Sequence, residues 1–306
     1  MRRGAVPWAA LAASLGLLLA WDASGADMAI ARALGDPAGF SWRDAWAARV
    51  LLHDGGRWLA ALALLLLGFD AWRPWVAGPS RADRAAALGV VLLCLTAVPA
   101  IKQISLSSCP WDLAQFGGSA AYVSHWRWGV ADGGPGRCFP SGHAVAAWAF
   151  VGLYPPWRAA RPTLAAVMLA ASVGFGLLFG AAQVLRGAHF VSHALWSAWA
   201  CVALTLGAQA VLRWARESWR LKQSLRLRLH PPQAITTRGE TGCSKRAVQA
   251  KAAFAVHVFS QSHQAADEAL VRHLGPGKLM RRRRPRACQV PVHMPGRPES
   301  AVPRRG

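Results

Sequence analysis

The amino-acid sequence predicts an all-α, polytopic membrane protein built as a bundle of six helices. The chain of 306 residues is 54% hydrophobic, and its apolar residues fall into six runs with Trp at or near their ends. A helix needs about 20 mostly apolar residues to cross about 30 Å of hydrocarbon, and Trp is enriched at membrane interfaces. The alternative is a buried helical core of a soluble protein. The predicted spans are 5–21, 58–76, 85–101, 144–157, 163–183 and 190–214.

Basic residues are unevenly distributed and divide the chain into a body and a tail. Residues 1–212 contain 15 Lys and Arg against 9 Asp and Glu, whereas residues 213–306 contain 20 against 5. We therefore predict a six-span membrane domain over 1–212, a basic juxtamembrane helix over 213–230 and a disordered basic tail over 231–306. Nucleic-acid binding by the tail is the alternative to a solvated cytoplasmic tail, which we prefer, so no nucleic-acid partner is predicted.

The loops between the predicted spans indicate an orientation. The inside segments 1–4, 73–84 and 157–162 hold seven basic residues in 22 positions, whereas the outside segments 22–57 and 102–140 hold seven in 75. By the positive-inside rule, this asymmetry predicts that both termini lie in the cytoplasm. The inner (plasma) membrane is the expected location.

The first apolar run has a second interpretation. Arg2 and Arg3, the apolar stretch and Ser24-Gly25-Ala26 together resemble a cleavable signal peptide. Cleavage would leave five spans and would not change the later topology. A retained anchor is the preferred interpretation.

Two outside segments are expected to cover the membrane surface. Segment 27–52 is predicted to form a short amphipathic helix on the outer interface, with Trp42 and Trp46 on its apolar side. Segment 102–140 is rich in Gly and Ser and is predicted to form a folded cap or an irregular loop. His125 in this segment is expected to be a surface residue.

Six cysteines in 306 residues are too few for a disulfide-dense secreted scaffold. Cys109 and Cys138 share the oxidising side of the membrane, where either a disulfide that closes the cap loop or two free thiols is consistent with the sequence. Cys94 and Cys201 lie within predicted spans and are expected to be reduced packing residues.

Three polar clusters interrupt the apolar pattern, and each lies at the outer end of a predicted span. Ionisable residues at membrane depth are costly and therefore indicate function. Because the topology places these three ends on one face, we expect the clusters to meet there. The clusters are Lys102 with Ser107 to Asp112, then Arg137 to His143, then Gln183 to His193.

The clusters contain two features that bind anions, namely basic side chains and the start of a helix. Lys102, Arg137 and Arg186 match the oxygens of a phosphate group. Ser141 and Gly142 begin an apolar helical run, where backbone N–H groups favour an anion and Gly allows close approach.

The same clusters contain groups for proton transfer and nucleophilic attack. His143 and His189 provide a proton donor and a nucleophile near neutral pH. Only Asp112 and Asp132 supply carboxylates near the clusters, so a two-metal hydrolase is poorly supported. The pattern indicates phosphoryl transfer without a metal or another cofactor.

Three stretches resemble the motifs of the type 2 phosphatidic acid phosphatases (PAP2), membrane enzymes related to the vanadium haloperoxidases. The family pattern is Lys-x6-Arg-Pro, then Pro-Ser-Gly-His, then Ser-Arg-x5-His-x3-Asp. Lys102-x6-Cys109-Pro110 resembles the first motif, the segment Pro140-Ser141-Gly142-His143 matches the second, and His189 falls at the histidine of the third. The resemblance covers about residues 85–212 and implies a six-helix PAP2-like bundle.

The resemblance implies a lipid phosphatase with an outward-facing site. His189 would attack phosphorus and form a phosphohistidine, and His143 would protonate the leaving oxygen. Lys102, Ser141, Gly142 and an arginine would hold the phosphate oxygens. The implied substrate is a lipid phosphate monoester or pyrophosphate; membrane lipids are the expected surroundings, and no protein partner is predicted.

The sequence departs from the family pattern at several positions, as in a bacterial subgroup with a divergent third motif. Cys109 replaces the arginine of the first motif, and Gln183 replaces that of the third, with Arg186 one helical turn later. His193 replaces the orienting aspartate, for which Asp112 is a steric substitute.

Other functions remain open at this stage. A phosphotransferase would pass the phosphoryl group to another lipid, and a catalytically silent relative would bind phospholipid only. A zinc site formed by His143, His189 and His193 is a further alternative. In a separate, purely structural interpretation, Lys102 only reaches the interface as a snorkelling residue, and His143 and His189 are packing residues.

Overall fold

The computed structural model describes residues 5–229, and over these residues the chain folds as a helical bundle. The predicted all-α class is confirmed, with one hairpin of two-residue strands, β1 (Gly35–Asp36) and β2 (Gly39–Phe40). The helices are α1 (Ala5–Ala23), α2 (Ala26–Leu34), α3 (Gly55–Trp72), α4 (Arg81–Gln103), α5 (Gly142–Trp148), α6 (Tyr154–Ala160), α7 (Pro162–Leu185) and α8 (Val191–Leu229).

Within the described residues, four segments are long and apolar enough to cross a membrane, which fits a multi-pass membrane protein. Helices α1 and α2 form a pair bent by 60° that counts as a fifth candidate span. The count is lower than the six predicted from the sequence. The four segments are Ala47–Trp72, Arg81–Gln103, Pro162–Leu185 and Val191–Arg226.

The predicted fourth span, 144–157, accounts for part of this difference. It is divided into α5, a 3-10 segment over Ala149–Leu153, and α6. Pro155 and Pro156 lie in the first turn of α6, and proline lacks the N–H that would continue the preceding α-helix. These short helices still pack inside the bundle, against α4 and α7.

Helix α4 crosses the bundle from one end to the other. Ser80 caps its start by accepting a hydrogen bond from the Asp83 backbone N–H at 3.2 Å. The buried face of α4 includes Val91, Cys94 and Val98, which pack against the segment 149–153 in the main apolar core. Lys102 lies in the last turn, so α4 delivers a cation to the opposite end of the bundle.

A buried ion pair links α3 and α4 at the end away from Lys102. Asp70 and Arg84 are both buried and bonded to each other. The Arg84 guanidinium also lies 4.8 Å above the Trp157 ring. Arg84 was counted among the basic residues of a predicted inside loop. In the structure it pairs with Asp70, the acidic residue within the second predicted span, 58–76.

The N-terminal outside segment differs from the predicted interfacial helix. Helix α2 ends at Leu34, and the Gly-containing hairpin follows because Asp36 accepts a hydrogen bond from the Ala38 N–H at 2.7 Å. The chain then enters a π-helix over Ala47–Asp54 that continues into α3. The second candidate span thus begins earlier than residue 58.

The predicted cap over 102–140 is a folded loop closed by a disulfide between Cys109 and Cys138, with Cα atoms 5.1 Å apart. Inside it, buried Asp132 accepts hydrogen bonds from the Ser108 N–H and hydroxyl and from the Gly134 N–H. Cys94 and Cys201 are free and buried, as predicted.

Helix α8 continues through the predicted boundary at residues 212 and 213 without a break, to Leu229. The separate juxtamembrane helix over 213–230 is, over its described part, the end of this long helix. The predicted disordered tail, 231–306, lies outside the described residues.

Candidate active site

The three polar clusters meet at one end of the bundle. A Cβ atom on Gly142 would lie 3.9 Å from Lys102 Nζ, so the start of α5 faces the end of α4. The Ser141 N–H donates to the His193 carbonyl at 3.0 Å, which ties the start of α5 to α8. The expected face therefore exists, and the missing side chain of Gly142 leaves room beside the lysine.

Ser141 differs in one respect from the sequence-based expectation. Its N–H is already bonded to the His193 carbonyl, so this N–H does not face an anion. Its hydroxyl is fully buried and has no hydrogen-bond partner among the described residues. An unpaired buried hydroxyl costs free energy. A bound phosphate oxygen would remove this cost by accepting a hydrogen bond from the Ser141 hydroxyl.

His143 lies half-buried beside several cations. Burial and, in decreasing order, the charges of His53, Lys102, Arg57 and Arg186 lower its pKa to about 3. Its Nε2 atom is buried and has no partner within residues 5–229. His143 is therefore neutral at pH 7, and an anion placed among these cations would raise its pKa.

His53 is a member of the site that the sequence analysis missed. Its ring stacks on the His143 ring, with centroids 3.7 Å apart and planes 21° apart. Its Nδ1 lies 2.8 Å from Asp54 Oδ1. The sequence did contain a signal for this residue. His53, Asp54 and Arg57 are ionisable residues near the end of an apolar run, and the same criterion selected the other three clusters.

Arg186 and Gln183 act together at the end of α7. Arg186 is buried, and its Nε donates to the Arg43 carbonyl at 2.9 Å. One terminal nitrogen lies 3.4 Å from Gln183 Oε1. Gln183, which replaces the third-motif arginine, thus contacts the guanidinium of Arg186, the cation that lies one turn later. The Arg186 guanidinium also lies 5.7 Å from the Trp111 ring.

His189 is buried in the turn between α7 and α8. Its backbone N–H bonds to the Gln183 carbonyl, and its Nδ1 lies 3.4 Å from Cys138 Sγ. Burial, with smaller contributions from the charges of His193, Lys102 and His143, holds its pKa well below the usual range. His189 is therefore neutral, as a nucleophilic imidazole must be.

His193 is buried among aromatic rings. Its ring lies edge-on to that of His189, with centroids 5.7 Å apart, and its Nδ1 has no hydrogen-bond partner among the described residues. The two imidazoles are not hydrogen-bonded in this part of the chain. The side chain of His193 therefore does not orient His189 directly, and its backbone carbonyl instead fixes Ser141.

Two predicted site residues make no hydrogen bond or ion pair with the site histidines among the described residues. Arg137 is exposed, and over the described residues its side chain makes no hydrogen bond or ion pair. The Arg137 backbone has a φ of 54° and bonds to the Ser105 carbonyl, which holds this residue in a loop turn. Asp112 accepts hydrogen bonds from the Cys109 N–H and the Trp111 indole, so its carboxylate stabilises its own turn rather than a histidine.

His125 is half-buried, with a side chain only 9% exposed, rather than the surface residue that was predicted. Its ring stacks on Phe139 at 4.1 Å, and its Nε2 lies 3.4 Å from Asp22 Oδ2. Asp22 also accepts hydrogen bonds from the indoles of Trp126 and Trp196. This buried polar group joins the end of α1, the cap loop and α8 behind the candidate site.

The histidines do not form the zinc site considered from the sequence. In the described part of the chain, the donor atoms that come within 4.8 Å of one another belong to Cys109, Cys138 and His189. The two sulfurs are joined in a disulfide, so neither is available as a thiolate ligand.

The central part of the chain resembles a known family. Residues 84–219 match the PAP2 superfamily. This segment of the chain is a PAP2 superfamily domain with a helical membrane fold, and PAP2 proteins are typically metal-independent phosphatases. The comparisons with curated proteins and with solved structures gave no match.

The PAP2 domain includes most but not all of the cluster. Lys102, the second motif and the turn from Arg186 to His189 lie inside the matched residues. His53 and Arg57 lie outside them, on the segment that precedes α4. The candidate site thus combines residues of the matched domain with His53 and Arg57 from the segment Ala47–Trp72.

Proposed function

We propose that the protein is an integral membrane phosphatase that hydrolyses a lipid phosphate monoester or pyrophosphate through a phosphohistidine. The observation that supports this most directly is the convergence of two neutral imidazoles, the half-buried His143 and the buried His189, with Lys102 and Arg186 at one end of the bundle. The PAP2 match over the same residues supports the same chemistry.

The reaction proceeds in two displacements. His189 Nε2 attacks phosphorus, an N–P bond forms, and the bond from phosphorus to the leaving oxygen breaks. His143 gives a proton to the leaving oxygen, which departs as an alcohol or as a phosphate group. Water then attacks the phosphohistidine, His143 takes a proton from that water, and inorganic phosphate and free His189 are regenerated.

The cations stabilise the charge that develops during these steps. Lys102 and Arg186 neutralise equatorial oxygens, and the buried Ser141 hydroxyl donates to another oxygen. The same cations lower the pKa of His143 until an anion is bound. His143 thus becomes an acid only when the phosphate that needs a proton is present.

An apolar cavity beside the site supports a lipid substrate. It lies between α3, α5 and α7, has a volume of about 230 Å³ and includes Gly56 and Ala146 in its lining. Gly56 precedes Arg57, and Ala146 lies one turn from His143 on α5. A hydrocarbon chain attached to a bound phosphate would therefore find an apolar surface next to the headgroup.

Phosphate release tests the function directly. The full-length protein in detergent with EDTA should release phosphate from one or more members of a panel of lipid phosphates and pyrophosphates. His189→Ala should abolish release and the phosphoenzyme, whereas His257→Ala, a histidine outside the matched domain, should not change the rate. Normal release by His189→Ala would disprove the proposal. Product analysis with an added lipid acceptor would reveal phosphotransfer in place of hydrolysis.

The replaced motif positions favour a second candidate, a silent relative that binds phospholipid. Cys109 is in a disulfide, Gln183 replaces an arginine, and His193 replaces the orienting aspartate. Binding of a lipid phosphate without release of phosphate, by protein with an unchanged melting temperature, would select this candidate.

We also propose that the site faces the outside of the inner membrane. A Gln115→Cys variant places a thiol on the exposed part of the cap loop. A membrane-impermeant maleimide should label it in intact cells, while labelling of Cys243 and Cys288 should require lysis. Labelling of residue 115 only after lysis would reverse the orientation.

A further inference from the structure

The nucleophile candidate contacts a sulfur atom. Cys138 is fully buried, and its Sγ lies 3.4 Å from His189 Nδ1 and 3.2 Å from the Ala188 carbonyl oxygen. Because Cys138 is bonded to Cys109, this sulfur has no proton and only accepts hydrogen bonds. The proton of the His189 ring therefore belongs on Nδ1, facing the sulfur.

We propose that Cys138 is a positioning residue whose disulfide-linked sulfur holds His189 in the tautomer that presents Nε2 to the phosphate. This inference rests on the proposed function, since it assigns the group that orients the nucleophile. The sulfur takes the place of the carboxylate that the third motif of this chain lacks.

Other groups near His189 do not fill this role as well. His193 lies edge-on at 5.7 Å between ring centroids, and Asp112 is engaged by its own turn. The Cys138 backbone carbonyl also raises the pKa of His189, but it is kept in both Cys138→Ala and Cys109→Ala, so a comparison of these two variants isolates the sulfur. Cys138 is thus the residue that contacts the Nδ1 side of the ring among the described residues.

The disulfide explains why the sulfur stays in place. It joins Cys109, which lies at the position of the first-motif arginine, to Cys138, which lies in the loop just before the second motif. Cys138 is also tied down by its N–H, which donates to the Ser107 carbonyl at 3.0 Å. A sulfur acceptor is weaker than a carboxylate and stabilises an imidazolium little, so His189 stays neutral.

Two single variants separate the sulfur from the disulfide. Cys109→Ala and Cys138→Ala both remove the disulfide, but only Cys138→Ala removes the sulfur from His189. We expect kcat of Cys138→Ala to be roughly tenfold below that of Cys109→Ala, the effect of one orienting hydrogen bond. In the Cys109→Ala background, Cys138→Ser restores an acceptor and should recover part of the loss.

The pH dependence of kcat/KM distinguishes a positioning role of Cys138 from a purely structural one, because a purely structural role would leave the pH profile unchanged. Loss of the sulfur should shift the acidic limb of the kcat/KM profile in Cys138→Ala relative to Cys109→Ala. Equal rates and superimposable profiles for the two variants would overturn the inference and leave the disulfide as a loop closure. Activity retained in His189→Ala would instead refute the phosphohistidine mechanism, so the two failures are distinguishable.

A spectroscopic measurement on the unmodified protein avoids variants that fail to fold. Nitrogen NMR of the full chain labelled at histidine should show His189, assigned by its loss in His189→Ala, as the tautomer with the proton on Nδ1. A proton on Nε2 would overturn the inference.

Discussion

At the residue scale, the protonation state of His143 depends on neighbours from distant parts of the chain. Four basic residues from three segments of the chain lower its pKa, after the larger effect of burial. A general acid must carry a proton when it acts. The protonated form therefore has to arise when a dianion enters, because the anion cancels the charges that disfavour it.

Proton uptake on anion binding tests this coupling. Sulfate is a suitable probe because it stays a dianion from pH 5 to 8, so it takes up no proton itself. Since the pKa of His143 starts at about 3 and rises on binding, the protein should take up protons from the buffer at pH 6. Calorimetry in buffers of different ionisation enthalpy measures this uptake. His143→Gln should remove it, and equal uptake by both proteins would contradict the assignment.

His53 is expected to act through its stack on His143. His53→Ala removes the ring, whereas His53→Phe keeps an aromatic face without the ring nitrogens. Aromatic pairs contribute about 0.5–1.5 kcal/mol, so His53→Ala should lower kcat/KM by roughly 2- to 10-fold. His53→Phe should retain more activity than His53→Ala. Identical losses in the two variants would show that the ring nitrogens of His53, and not its aromatic face, matter.

At the element scale, the turn between α7 and α8 places both Arg186 and His189. Gly187 adopts a φ of 70°, and its carbonyl accepts a hydrogen bond from the Trp111 N–H at 2.9 Å. A Cβ atom at this position would lie 2.3 Å from the Phe40 ring of β2. Glycine is therefore required both for the backbone conformation and for the contact with the hairpin.

A pair of glycine substitutions tests the turn. Gly187→Ala should destabilise the protein by about 1–3 kcal/mol and lower activity, because strain in the turn displaces His189. Gly174→Ala is the control, since a Cβ atom there meets no neighbour within 4 Å in the middle of α7. Melting temperatures in detergent and phosphate release measure both. A Gly187→Ala protein as stable and active as Gly174→Ala would contradict the role of the turn.

At the scale of the whole molecule, polar groups fasten the bundle at both ends. The Asp70–Arg84 pair joins α3 to α4 at one end, and Asp22 joins α1 to Trp126 and Trp196 at the other. Asp27 additionally accepts the Ser192 N–H at the start of α8. Such pairs are needed because buried charges without partners are costly in an apolar bundle.

Breaking the Asp70–Arg84 pair should be more damaging than replacing it. Arg84→Ala leaves a buried carboxylate unpaired and should cost about 3–5 kcal/mol. The double variant Asp70→Leu with Arg84→Met removes both charges and should be markedly more stable than Arg84→Ala. Thermal unfolding in detergent measures the three proteins. If the double variant is the least stable, the pair contributes more than charge compensation.

Much of the architecture could be predicted because it depends on local properties of the sequence. Apolar runs near α4, α7 and α8 predict long helices without reference to any neighbour. Proline also acts locally, yet the break before α6 was not predicted, because the run 144–157 was read by hydrophobicity alone. The hairpin within 27–52 was missed for a similar reason, since Trp and aliphatic residues outweighed the turn formed around Asp36.

The sequence by itself determined the helical class, the three polar clusters and the PAP2 motifs, because these follow from composition and from short spacings. Only the tertiary structure decided which polar side chains reach the site. It brought His53 onto His143 across 90 positions of the chain, engaged the Asp112 carboxylate in its own turn, left Arg137 exposed, and placed a disulfide sulfur against His189. Contacts between distant segments depend on how helices and loops pack, and no local pattern specifies them.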